Sequence, residues 1–145
     1  MSKYANGFYQ LKNPQKYVGK GLPHYRSSWE FSVCAMCDNH PGIINWASEA
    51  LHINYRNPFT GKNTIYVPDF FVMFVNASGT NHGEIWEVKP LKETSLQEAG
   101  KSPRAQAAAI LNACKWAAAR AYCKSQNLQF RILTENDIYH MGSKK

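Results

Sequence analysis

Three residue types at fixed spacing carry the chemistry of this chain: Pro68-Asp69, seventeen intervening residues, then Glu87-Val88-Lys89. In an extended strand side chains alternate faces, so Glu87 and Lys89 point the same way. A turn between the two segments brings Asp69 and Glu87 to neighbouring positions on one face. Carboxylates that close repel one another unless a cation lies between them. A hard divalent ion held by carboxylate oxygens and water resolves that repulsion. Such an ion polarises a phosphodiester and activates water beside it. The Lys89 ammonium, two residues beyond Glu87, is placed to meet the water or the phosphate oxygens that gain charge in the transition state. Glu30, further upstream, is the third acid: it completes the metal shell or accepts a proton from the water.

The elements that must position these groups follow from pattern. Ser27 or Ser28 caps a helix running to about Asp38, and Pro41-Gly42 ends it. Trp29, Val33, Met36 and Cys37 form its apolar stripe, with Glu30 on the flank of the buried face. A carboxylate there needs a partner or a metal. Ile43–Trp46 and Ala50–Tyr55 read as strands, the second by alternation of Leu51, Ile53 and Tyr55 with polar neighbours. The segment 64–75 is β-branched and aromatic, which predicts one long strand. Pro68 within it predicts an edge, bend or bulge. Residues 76–83 predict a turn and 84–89 the returning strand, giving an antiparallel meander after a helix. Residues 91–101 read as a polar connection. Ser102 caps and Pro103 opens an alanine-rich helix to about Ser125, with Ile110, Cys114, Ala117 and Ala121 as its expected inward stripe. Leu128, Phe130 and Ile132 alternate in a final strand. The expected fold class is α/β, an α+β layer.

Composition bounds the rest. The 145 residues fit one domain, and 44% apolar residues exclude a disordered chain. The organisation expected is a basic N-terminal arm, 1–24, and a single catalytic domain, 25–145. Asn13-Pro14, Gly19, Gly21 and Pro23 break regular structure in the arm, and Tyr4, Phe8, Tyr9 and Tyr17 pin it to the body. No apolar run approaches the ~20 residues of a membrane helix, and the first ten residues lack a signal-peptide core. The expectation is therefore no membrane contact and a reducing cytoplasm. The four cysteines, Cys34, Cys37, Cys114 and Cys123, fall on helical apolar stretches, and as small buried hydrophobes they fit better than as zinc ligands.

The formal net charge is +7, and its distribution matters more than its size. No acid precedes Glu30 and none lies between Glu98 and Glu135, while lysines and arginines populate both segments. Basic flanks around an acidic centre suit a nucleic acid gripped by its phosphates, the alternative being lysines that simply cover the surface; the partner expected is double-stranded DNA. Arg26, Ser27, Lys16, Lys115 and Arg104 are the candidate DNA contacts, with Arg26 alternatively pairing with Glu49. His24 and His52 read as structural. Trp29, Trp46, Trp86 and Trp116 read as packing residues.

Asn13-Pro14-Gln15-Lys16-Tyr17, Tyr25-Arg26-Ser27-Ser28-Trp29-Glu30, Trp46-Ala47-Ser48-Glu49, Tyr66-Val67-Pro68-Asp69-Phe70 and Glu87-Val88-Lys89-Pro90 together carry a resemblance. The chain resembles the PD-(D/E)XK nuclease superfamily and, within it, the head completion nucleases of tailed bacteriophages. The Tyr-Arg-Ser-Ser-Trp-Glu block is the most specific of the matching stretches. The resemblance implies a restriction-endonuclease-like core, a central mixed sheet flanked by helices. It also implies Glu30, Asp69, Glu87 and Lys89 as the catalytic set, with Asp69, Glu87 and Glu30 holding Mg²⁺ or, in its place, Mn²⁺. The implied role is trimming DNA as a phage head is completed, in the host cytoplasm or on the virion, in contact with portal or head-neck proteins. A homodimer would supply the two sites that cutting both strands needs. A virion structural or DNA-binding protein with catalysis secondary is the alternative from another class. Junction-resolving and transposon-type nucleases share the core.

Overall fold

The computed structural model describes residues 6–138. Ser27 caps helix α1 (Ser28–Asn39), its hydroxyl accepting from Glu30 N at 3.1 Å. Strands β3 (Ile43–Ser48), β6 (Phe70–Val75), β7 (Asn81–Val88) and β8 (Gln129–Leu133) form the main sheet in that spatial order. The pairs β3–β6 and β6–β7 are antiparallel and β7–β8 is parallel. This is the expected α/β class with a central mixed sheet flanked by helices. Strands β1 (Gly7–Phe8) and β2 (His24–Tyr25) pair separately. So do β4 (Ile53–Arg56) and β5 (Asn63–Tyr66).

The single strand expected over 64–75 is two. Pro68 has no amide hydrogen to donate and pushes Val67 out of regular pairing. The chain therefore breaks between Tyr66 and Phe70. Its first half leaves the main sheet to pair with β4, and the second half continues as β6. The expected meander is thus β3–β6–β7, with the β4–β5 ribbon inserted at the break. The connection over 91–101 contains a 3₁₀ turn and a one-turn helix, α2 (Leu96–Ala99). Helix α3 (Pro103–Ser125) starts at Ser102 as expected.

Helices α1 and α3 cover opposite faces of the sheet. Trp86 and Val88 turn toward α1, packing with Val33, Cys34, Cys37, Trp46, Phe70 and Val72. On the other face Trp116 and Ala119 of α3 pack with Ile53 and Tyr66 of the ribbon and with Phe130 and Ile132. The inward stripe of α3 is Ala105, Ala109, Asn112, Trp116, Ala119 and Cys123, and Ile110 is 37% exposed. The helix is thus rotated from the expectation. An alanine-rich helix has no unique small face, and Trp116, with far more apolar surface than any alanine, sets the rotation.

The N-terminal segment is tied to α1 by a buried charge. Tyr9 Oη, Lys12 N and Asn13 N all donate to the Asp38 carboxylate, at 2.9, 2.8 and 3.0 Å. Burial works to raise the Asp38 pKa, but these donors outweigh it and hold it below its ordinary value. Tyr17 packs edge-on against Trp46, whereas Phe8 is exposed. Tyr4 lies outside the described residues.

Candidate active site

The break at Pro68 that divides the strand also aims Asp69. Phe70 pairs with Trp86 in the antiparallel register, so one step outward Asp69 falls opposite Glu87. Two hydrogen bonds fix the crossing. Asp69 N donates to Glu87 Oε1 at 3.3 Å, and Val88 N donates to Asp69 Oδ2 at 2.7 Å. The remaining oxygen of each carboxylate has no backbone donor among the described residues. The two carboxyl groups lie within proton-sharing reach of one another. Glu87 pairs with Ile132 and is 4% exposed, facing the α3 side of the sheet.

Electrostatics at this point are those of a site short of positive charge. Burial, then the charge of Asp69, raises the Glu87 pKa from 4.5 to about 8. Burial, then Asp69 again, raises that of Glu30 to about 7. Asp69 is also raised, chiefly by burial, against opposing help from the Val88 amide and Lys89. Acids stay unprotonated at neutral pH in such a place only with a cation among them. The donor set suits a hard divalent ion: a pair of carboxylates, with no thiol or imidazole clustered with them among the described residues. Among the described residues no third Asp, Glu, His or Cys joins Asp69 and Glu87 in a compact ligand cluster. Glu30 instead stands off at the first turn of α1, close enough to feel the charge of Asp69.

A cleft of about 510 Å³ lies alongside, lined in part by Ser27, Trp29, Glu30, Val88 and Lys89; Asp69 and Glu87 do not line it. The four residues singled out come close together: Glu30 feels the charge of Asp69, Lys89 acts on both Asp69 and Glu87, and Glu30 and Lys89 both line the cleft. Trp29, expected as packing, borders the cleft as well. Lys115 joins from α3. Its Nζ lies 5.7 Å from the centre of the Tyr66 ring and 5.9 Å from that of Tyr55. Burial and then the nearby Lys89 lower its pKa. The Tyr66 hydroxyl is buried without a hydrogen bond of good geometry, close to Glu87, and burial followed by that charge raises its pKa.

The other expected DNA contacts are placed elsewhere or are engaged. Arg26 pairs with Glu49 at 3.2 Å, the alternative named for it. Lys16 donates to the Asp38 and His40 carbonyls, both at 2.9 Å, at the opposite end of α1 from Glu30. Arg104 is exposed on the first turn of α3. Three of the cysteines, Cys34, Cys37 and Cys123, are buried thiols, and burial raises the pKa of each.

Sequence reasoning passed over Glu49 as a member of the acid group. Its amide donates to the Asp69 carbonyl at 2.9 Å, and its φ of 51° lies in the left-handed region. A non-glycine residue there marks a position held by its surroundings. Its charge works to raise the pKa of both Glu30 and Asp69. The signal was present: Glu49 is the sole acid between Asp38 and Asp69.

Comparison with known proteins decides the family. The model of the TnsA-like endonuclease N-terminal region matches residues 40–135, about two-thirds of the chain. This chain belongs to the TnsA-like endonuclease family. The matched stretch of this TnsA-like chain carries Glu49, Asp69, Glu87, Lys89 and Lys115 and begins after α1. The TnsA-like chain is also 33% identical, over 149 aligned residues, to the head completion nuclease of Enterobacteria phage T4. That alignment covers 96% of this chain and 97% of the T4 protein, and so takes in Glu30. The fold and the nuclease class implied by the sequence resemblance therefore stand.

Proposed function

We propose that this TnsA-like nuclease is a Mg²⁺-dependent endodeoxyribonuclease, with Mn²⁺ able to substitute, that hydrolyses phosphodiesters of double-stranded DNA with little sequence preference. One observation carries the proposal: Asp69 and Glu87 are locked side by side by backbone hydrogen bonds, in a place that burial makes unfavourable for their charges. Asp69 and Glu87 would hold the ion, and Glu30 would either complete its shell or, standing off from the pair, act on the attacking water. A bound divalent ion would supply Lewis-acid polarisation of the phosphate and favour ionisation of water.

The chain's own residues supply the rest. Glu30, with a pKa near 7, is suited to take a proton from the attacking water at neutral pH. Lys89 offers an ammonium close to Asp69 and Glu87, suited to meet the charge that develops on the phosphate oxygens. Lys115 adds a second ammonium, and Ser27 lies where a neighbouring phosphate would meet the cap of α1. Arg26, Lys16 and Arg104 are proposed as outlying phosphate contacts. The similarity to the T4 head completion nuclease supports a role in finishing phage heads, acting on DNA ends in the host cytoplasm or on the virion, beside portal or head-neck proteins. Two copies of the chain would serve the two strands of a duplex.

The test is linear and supercoiled duplex DNA incubated with wild type, Asp69→Asn and Lys89→Ala, with Mg²⁺ and with chelator. Cutting by wild type with Mg²⁺, reduced at least about a hundredfold in each variant, supports the proposal. Equal cutting by all three proteins, or cutting undiminished by chelator, overturns it.

A further inference from the structure

The β4–β5 ribbon has no role in the catalytic chemistry, yet it springs from the site itself. Tyr66, its last residue, lies close to Glu87, and Asp69 follows three residues later. Its inner face is occupied, with Ile53 and Tyr66 packed on Trp116 and Ala119. A lone two-stranded ribbon is marginal in water, and this packing gives it a footing.

Its outer face and tip are another matter. The pairs Asn54–Ile65 and Arg56–Asn63 face away from that packing. Ile65 is 56% exposed and Phe59, at the tip, 59%. The tip is rigidly built. Asn57 Oδ1 accepts from Phe59 N and Thr60 N at 2.8 and 3.2 Å, and Asn57 N donates to the Lys62 carbonyl at 2.9 Å. Gly61 takes φ +73°, which a side chain would strain. A large aromatic is thus held outward at an entropic disadvantage already met by the turn.

Charge identifies what it meets. Not one acid occurs between Glu49 and Asp69, a stretch that carries Arg56 and Lys62 close to the tip. An apolar tip flanked only by cations is unsuited to an acid-bearing protein core and suited to a polyanion that also offers flat apolar faces. DNA is such a partner, and its major groove admits a two-stranded ribbon. A four-residue strand is ~13 Å long. DNA lying on the carboxylates would therefore meet the tip within about half a helical turn, ~17 Å, of the cut.

We propose that the β4–β5 ribbon is a DNA-gripping arm, with Arg56 and Lys62 on backbone phosphates and Phe59 packed against a base or sugar about half a helical turn from the scissile phosphate. This rests on the duplex-DNA nuclease reading above. The test is anisotropy of the full-length chain with a labelled duplex, in chelator, as a function of salt. Arg56→Ala/Lys62→Ala should lower the slope of log affinity against log salt by about 2. Phe59→Ala should weaken binding at least about fivefold at unchanged slope. All three positions are surface ones, and circular dichroism verifies folding. Wild-type binding with both variants indistinguishable from it overturns the arm and leaves the nuclease reading standing. Loss of self-association in Phe59→Ala, with DNA affinity intact, also overturns it, in favour of a protein interface. Failure of the wild type itself to bind DNA refutes the parent reading.

Discussion

Replacing Glu87 with Gln deletes a charge that the site resists while keeping the shape of a side chain that is 4% exposed. Unfolded, a glutamate ionises near 4.5; here burial and then Asp69 hold it up to about 8. The sign follows from linkage. A folded pKa above the unfolded one gives stability that is complete below pH 4.5 and is lost progressively as pH rises through 8, because the unfolded chain releases a proton that the folded chain keeps. At ~1.4 kcal/mol per tenfold in proton affinity the gap has a ceiling of roughly 5 kcal/mol. Sharing of that proton with Asp69 and attraction to Lys89 reduce the net effect to about 2–4 kcal/mol. At roughly 3 °C per kcal/mol for a chain of this length, Glu87→Gln should melt about 6–12 °C above wild type at pH 9 in chelator. At pH 4.5 the two should melt within about 2 °C of each other. Saturating Mg²⁺ or Mn²⁺ should raise the wild-type melting temperature at pH 8 and close the gap. Melting followed by circular dichroism across this range is the assay. A variant no more stable than wild type at pH 9 would refute the reasoning, since Glu87 would then not be held against its own ionisation.

Other outcomes follow from the same structure. Glu49→Gln removes a charge that helps raise the Glu30 pKa, so the acidic limb of the cleavage rate–pH profile should move to lower pH; an unmoved limb would separate Glu49 from the site. Asp38→Ala strips the buried acceptor from Tyr9, Lys12 and Asn13 and should destabilise by roughly 3 kcal/mol in urea melts. The Asp38 contribution should be present above pH 4 and fade below it, because its folded pKa is depressed. Trp116→Ala should cost about 3–5 kcal/mol and Ile110→Ala under about 1, although Ile110 belongs to the expected inward stripe of α3.

Much of the fold was legible because caps and breakers act locally. Ser27, Ser102 with Pro103, and the alternation of Leu128, Phe130 and Ile132 set their elements through side chains within one turn or one strand. Two features were not legible for want of a local signal. Pro68 announced a break, yet that the freed half would pair with β4 outside the main sheet depends on α3 offering Trp116 as a footing. The face of α3 was misjudged because its alanines are nearly equivalent, and only tertiary contact with Tyr66 and Ile53 selects one side. At the site, Asp69, Glu87 and Lys89 were readable from a two-residue period and one antiparallel turn. Glu49 was passed over although it is the sole acid between Asp38 and Asp69, because its place beside Asp69 comes from a backbone hydrogen bond just beyond the ends of β3 and β6. Arg26 left two readings open in the sequence, and its distance to Glu49 favours the ion pair.

The proposed function requires Asp69 and Glu87 to clasp a divalent cation. Diffraction from a Mn²⁺-soaked crystal, collected at a wavelength where manganese scatters anomalously, tests it most directly. An anomalous peak within coordination distance of both carboxylates is expected in wild type, and none there in Asp69→Asn. A wild-type crystal with no peak between these two side chains, or an equal peak in the variant, would contradict it.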